Sequence, residues 1–357
     1  MQILKASIIK ILVGRCVYIC LLVCKEEPYE PILVQLKSQA LSLSSLPFSE
    51  FLLILGPALV SCSFLGKFIF AMINFDVLVK HVWEDNFDEE MSIIRNSVVT
   101  NYPVISLATH FPSGADRVPT GTVWGDPAAN YSALLGTTER MAKLTQVGLA
   151  FSDQNGHLPC CGETGRPCVW EFSLTPPGEA ADPDREEDLS KGSGGGVRAK
   201  KGINPWSLAA DLWRCNLLMN DNVSWVVFKG GLDFVALLRW ARLSVQGLPA
   251  ELDEFLRLQR LYFPVCHDMA AAFSFHPLLG DDGTIHVLAR SLCVRMEEMP
   301  PSRAASDCLL ALYLFITMKS LPFGFYLLKH KLNAVFGLTA EEEADYDLPT
   351  LSNMSLV

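Results

Sequence analysis

Asp233 stands where an acidic side chain can do chemistry. Ser224-Trp225-Val226-Val227-Phe228 is a short apolar run rich in β-branched and aromatic residues. Lys229-Gly230-Gly231 breaks it, and Leu232 to Leu238 resumes with apolar residues at helical spacing. The pattern predicts a strand, a tight turn and a helix, with Asp233 just past the strand's end. Open α/β sheets carry their sites outside the carboxyl ends of the strands, so a carboxylate there can hold a metal or orient a catalytic water. The competing reading is an aspartate that only caps the helix N-terminus. Three other groups invite a chemical reading. His157, Cys160, Cys161 and Cys168 are soft donors for zinc, but their spacing fits no common site and adjacent cysteines rarely chelate together. Arg198, Lys200 and Lys201 can touch RNA or simply face solvent. Asp268, near a strand end, reads as structural.

The elements that must position these residues are partly legible. Asn86, followed by acids and then Met91, Ile94 and Val98 at helical spacing, predicts an amphipathic helix with Asn86 as its N-cap. Tyr102 to Leu107 reads as a buried strand ending at Ala108-Thr109-His110-Phe111-Pro112. Leu252 to Tyr262 carries a core face of leucines and Phe255, and Ser306 to Met318 is apolar enough to be a buried helix. A membrane-spanning reading of Cys308 to Leu328 is interrupted by Lys319, Pro322 and Gly324.

The chain has 357 residues and a net charge of -10, which leaves no global basic footprint. Nucleic-acid binding must then come from a local groove or from metal ions bridging to phosphate. Eleven cysteines are scattered without a CxxC pair of pairs and read as reduced core thiols of an intracellular protein. On that reading the Asn-x-Ser triplets at Asn130, Asn222 and Asn353 carry no sugar. Half of the residues are hydrophobic, and the excess lies in a hydrophobic N-terminal extension, residues 1–75. Ala6 to Cys24 is interrupted by Lys10 and Arg15, whereas Phe51 to Ile73 has only Lys67 as a charge and is long enough to span a bilayer. Three readings stand: a membrane anchor, a hydrophobic arm packed on the next domain, or an extension irrelevant to the fold. Residues 175–202, with Pro-Pro-Gly and Lys191-Gly192-Ser193-Gly194-Gly195-Gly196, read as a flexible surface insert. Residues 339–357 read as an acidic, disordered tail.

"VWEDNFDEEMSIIR", followed by a short apolar strand and a Phe-Pro turn, resembles the opening of the DEDD-type mRNA deadenylases, the catalytic CAF/POP subunits of the CCR-NOT complex. Further matches follow in order. They are Leu144 to Asp153 as a strand, Pro167 to Phe172 as its hairpin partner, "LLMNDNVSWVVF" leading into Gly231-Leu232-Asp233-Phe234, "YFPVCHD" at Tyr262 to Asp268, "ASDCLL" at Ala305 to Leu310 and "NAVFGL" at Asn333 to Leu338. The resemblance implies an α/β fold of the ribonuclease-H-like (DEDD exonuclease) kind over residues 76–338, a mixed sheet flanked by helices. It also implies a 3'-to-5' exoribonuclease that shortens poly(A) tails with two divalent metals, Mg2+ or Mn2+. Its expected partners are poly(A) RNA, the NOT scaffold and the other deadenylase subunit of the complex, in nucleus and cytoplasm.

Two-metal phosphodiester hydrolysis needs carboxylates that hold two ions about 3.5 to 4 Å apart, one ion activating water and the other steadying the leaving oxygen. The family supplies an Asp-x-Glu at the end of the first strand, an Asp in a Gly-x-Asp-Phe turn, and an Asp five residues after a His that acts as general base. By resemblance the first pair falls on Ala108 and His110, the turn keeps Asp233, the last element keeps Asp307, and the His position reads Ser302. Ala108 has no oxygen to offer, and His110 prefers a softer metal than magnesium. Two escapes remain: Lys229 placing a positive charge against phosphate, or His110 with Asp233 and Asp307 holding manganese or zinc weakly. Three functional readings follow: a deadenylase, a catalytically silent member that docks on the NOT scaffold or competes with active relatives, and a domain tethered to a membrane by its N-terminus.

Overall fold

The computed structural model describes residues 77–110, 126–137, 144–160, 165–175, 200–241, 247–274, 284–291, 299–320 and 324–340. The expectations for the N-terminal extension, nearly all of the insert 175–202 and most of the acidic tail fall outside them, as does the Phe111-Pro112 turn. The first described element is β1 (Leu78–Val82), followed by a single 3-10 turn (Glu84–Asn86) and α1 (Phe87–Ile93), which widens into a π turn at Ile94–Val98. β1 was not expected from the sequence. It forms because its register with a later strand buries Val82, a pairing no local pattern announces. The expected helix is present, but Asn86 does not cap it through its side chain. Its Oδ1 instead accepts from Trp83 N at 2.7 Å and its Nδ2 donates to the His81 carbonyl, so Asn86 ties the turn back onto β1.

β2 (Val104–His110), α2 (Pro127–Gly136), β3 (Gln146–Ser152) and β4 (Cys168–Ser173) come next, then α3 (Pro205–Arg214), β5 (Ser224–Val227), α4 (Gly231–Ala241) and α5 (Leu252–Tyr262). The chain continues through β6 (Val265–Asp268), the single turn α6 (Met269–Ala272), α7 (Ile285–Ser291), α8 (Arg303–Ser320) and α9 (Gly324–His330). The sheet order is β1-β4-β3-β2-β5-β6. β3 and β4 form the expected antiparallel hairpin, β3 is also antiparallel to β2, and the pairs β1/β4, β2/β5 and β5/β6 are parallel. Every strand except β3 therefore ends at one edge, where α/β sheets carry their sites. β2 runs on to His110, past the expected end, because β3 pairs with it to Gln146.

Both faces of the sheet are covered. Trp170, Phe172 and Trp225 pack one face against α1, α3, α4 and α5; Val104, Val169 and Val226 pack the other against α6, α7 and α8. α8 begins at Arg303, three residues before the expected start, and lies close on the sheet because Gly148 has no side chain; a Cβ there would collide with the Ala304 carbonyl. Among the described residues no single helix is long and apolar enough to cross a membrane, and Cys308 to Leu328 is split between α8 and α9, bent by 118°. The free outer edge of β6 is closed by Asn333, whose backbone adopts φ 60° and whose side chain and N–H bond to Pro264 and Cys266.

Candidate functional site

The site edge is built from three junctions. The first is the end of β2. Side chains alternate along a strand, so Ala108 and His110 face α8 while Thr109 turns toward α4. The second is the β5–α4 turn. Lys229 takes φ 55°, and a Cβ on Gly230 would collide with Val227, so the turn accepts only a residue that tolerates the left-handed region followed by glycine. That turn delivers Asp233 to the first turn of α4, as the sequence predicted. The third is the N-terminal part of α8, which carries Asp307 above the sheet and leaves Ser302 one residue ahead of the helix.

Asp233 is buried, and its Oδ1 accepts from Thr109 N at 2.9 Å and from the Thr109 hydroxyl at 2.5 Å. Burial, opposed by those two hydrogen bonds and reinforced by the nearby charges of Asp268 and Asp307, pushes its pKa up to about 7. Asp307 faces His286 of α7, with Nε2 3.6 Å from Oδ1. The structure thus places Asp233 and Asp307 close enough to repel one another, which their separation of 74 positions does not reveal. His286 and Thr109 were missed by sequence reasoning. His286 belongs to no recognisable motif, and Thr109 was passed over as the residue between two positions of interest.

Asp268 is a different kind of acid. Its two oxygens accept from the backbone N–H groups of Lys229, Gly230, Ala270 and Phe336, at 2.9 to 3.0 Å. It is the hub that fixes the β5–α4 turn, as the structural reading expected. The Lys229 ammonium lies 5.2 Å from the centroid of the Phe336 ring, beside the same turn. Among the described residues the soft donors do not gather: His157 Nδ1 pairs with Asp153 Oδ2 at 2.9 Å, Cys168 is buried against the Pro159 carbonyl, and Cys160 is exposed, while Cys161 lies outside the described residues.

The described residues do not fit a pair of magnesium ions. Among the described residues no three His, Cys, Asp or Glu side chains stand where they can share a metal. Ala108 contributes no donor, and one oxygen of Asp233 is taken by Thr109.

A six-stranded mixed sheet with helices on both faces and acids at the common strand edge is the ribonuclease-H-like architecture of DEDD exonucleases. No family model matches the sequence. Curated relatives do. The chain is 30% identical to the probable CCR4-associated factor 1 homolog 7 of Arabidopsis thaliana over 271 residues, covering 74% of this chain and 94% of the relative. It is 30% identical to the poly(A) ribonuclease pop2 of Schizosaccharomyces pombe, covering 73% and 75%. Among solved structures, S. pombe Pop2p in its Mg2+ and Mn2+ bound form matches with a TM-score of 0.56 at 28% identity, covering 73% of this chain and 99% of Pop2p. Yeast CAF1, crystallised with the NOT1 MIF4G domain, shares the fold with a TM-score of 0.54 at 21% identity, covering 72% and 96%. The chain belongs to the CCR4-associated factor 1/Pop2 family of poly(A) ribonucleases.

Proposed function

We propose that this chain is a catalytically silent member of its family, acting as a docking or competing subunit of the CCR4-NOT assembly in nucleus and cytoplasm rather than trimming poly(A) itself. The observation that carries the reading is the pairing of Ala108 with the Thr109 clasp on Asp233: the position that would bridge two metals has no oxygen, and the neighbouring carboxylate is turned to a protein donor. Two-metal catalysis depends on carboxylates that clamp both ions, and removing one such ligand together with the base leaves little turnover. Ser302 holds a hydroxyl where the general base would stand, and a hydroxyl does not take up a proton at neutral pH.

Docking has its own support. Trp213 is 49% exposed, Met219 44% and Leu261 50%, and the Trp213 and Tyr262 rings lie 5.9 Å apart. Met219 N donates to the Tyr262 carbonyl, which joins α3, the loop before β5 and α5 into one apolar face. Large exposed side chains gathered in this way mark a protein interface. The face lies at the sheet edge opposite the acids, so a scaffold such as a NOT1 MIF4G domain can occupy it without covering the Asp233 junction.

The test is a trimming assay on RNA with a labelled 3' poly(A) tail, in magnesium and then in manganese. The unmodified chain leaves the tail intact, and Ala108→Asp/His110→Glu/Ser302→His gains stepwise shortening. Shortening by the unmodified chain overturns the silent reading and requires ligands other than those named here.

A further inference from the structure

We infer that the outer face of α9 and the turn after it form a contact surface for single-stranded RNA, separate from the acids around Asp233. The charge is set by the sequence. The chain carries a net charge of -10, yet between Asp307 and Glu341 it holds Lys319, Lys329, His330 and Lys331 and no aspartate or glutamate. Helical spacing then sorts the side chains of α9. Gly324 and Leu328, four apart, are buried, Leu328 in the same apolar cluster as Leu309 and Phe315 of α8. The opposite side presents Phe325, Lys329 and Leu332 to solvent, with Phe325 77% exposed and Leu332 41%. Tyr326 and His330, again four apart, stack with ring centroids 4.0 Å from one another. Among the described residues neither Lys329 nor Lys331 is held in an ion pair.

Rings open to solvent beside cations fit single-stranded RNA on two counts. Its bases offer flat faces to the rings, and its phosphates offer a negative charge to each lysine. An acidic peptide would engage the lysines and leave the rings without a partner. A bilayer would need the apolar side of the helix, which Gly324 and Leu328 already bury within the fold. The placement keeps this contact apart from both regions described above. Asn333, just after Lys331, bonds to Pro264 and Cys266 at the start of β6, so the stripe lies at the end of the sheet away from Asp233. It also lies on the α8 side of the sheet, whereas α3 and α5, which carry Trp213 and Tyr262, pack on the other. RNA held at α9 therefore needs no metal and leaves the Trp213 face open to a protein.

The test uses the full chain in EDTA and the fluorescence anisotropy of a labelled, unstructured RNA of about 15 nucleotides. Phe325→Ala is expected to weaken binding roughly fivefold or more, as loss of one stacked base does, while Phe325→Trp retains it. Lys329→Gln/Lys331→Gln is expected to flatten the slope of log affinity against log salt by about 1.4, the share of two phosphate contacts. These side chains lie at the surface, and an unchanged thermal unfolding midpoint separates a lost contact from a lost fold. No RNA binding by the unmodified chain overturns the proposal. So does an equal or larger loss from Lys200→Gln/Lys201→Gln, which assigns the RNA to the end of the insert. Full affinity in Phe325→Ala, with loss only in the lysine variant, means that charge alone holds any polyanion, an acidic peptide included, and overturns the stacking surface. Flotation with phosphatidylserine vesicles that Phe325→Ala abolishes, without RNA binding, assigns the stripe to a membrane and overturns it as well.

Discussion

At the end of β6, Asp268 gathers four backbone N–H groups around one carboxylate. Across the β5–α4 turn, Asp233 accepts from one residue among the described ones, Thr109, and its pKa is raised by burial and by two acidic neighbours. Both side chains are buried at the same sheet edge. One is held by four backbone donors; the other is held by a threonine and faces further acids. A carboxylate that collects backbone donors is fixed by the turn it organises, whereas one buried beside other acids is held in place at the cost of its charge.

The largest effect follows from removing the hub. Asp268→Ala leaves four N–H groups, those of Gly230 and Ala270 buried, without this acceptor and is expected to cost about 3 to 5 kcal/mol, read as a lower urea midpoint at pH 7. An unfolding free energy within about 0.5 kcal/mol of the parent would place Asp268 with Asp233 as a dispensable acid.

Asp233 should behave in the opposite sense. Its pKa stands near 7 in the folded chain and near 3.8 when unfolded, so between those values the folded state binds more protons. Its contribution to stability is therefore largest at low pH and is lost as pH rises toward 7. Asp233→Asn keeps an acceptor for Thr109, removes this pH dependence, and stabilises the chain by a few kcal/mol at pH 8 with little change at pH 4. Thermal unfolding at the two pH values in both proteins measures it, and an unchanged pH slope in the variant contradicts the assignment.

Thr109→Val is the mildest change. It deletes the hydroxyl bond and keeps the backbone one, and is expected to destabilise the parent by about 1 to 2 kcal/mol at pH 8. In the Asp233→Asn background the same change should cost less, because a bond to a neutral amide is weaker than one to a carboxylate. Equal costs in the two backgrounds mean that Thr109 acts through packing alone.

Much of the fold could be read along the chain because its signals are local. The alternation in Leu144 to Ser152, the Lys229-Gly230-Gly231 break and the apolar stripe of Leu252 to Tyr262 each specify their element within a few residues. β1 escaped because Leu78 to Val82 becomes a strand only through pairing with Cys168 to Phe172, some ninety positions later. Asn86 carried a capping signal, and its side chain was claimed instead by the turn it closes onto β1.

The sequence by itself determined that no side-chain oxygen stands at position 108, that position 302 is a serine, and that one acid follows the β5 strand, since side-chain identity is independent of folding. Only the tertiary structure decided what those acids do. Thr109 reaches Asp233 across 124 positions, Asp268 collects donors from three separate segments, and His286 meets Asp307 from another helix. Those relations depend on how strands register and helices pack, and the long-range burial that sets them leaves no periodic mark in the chain.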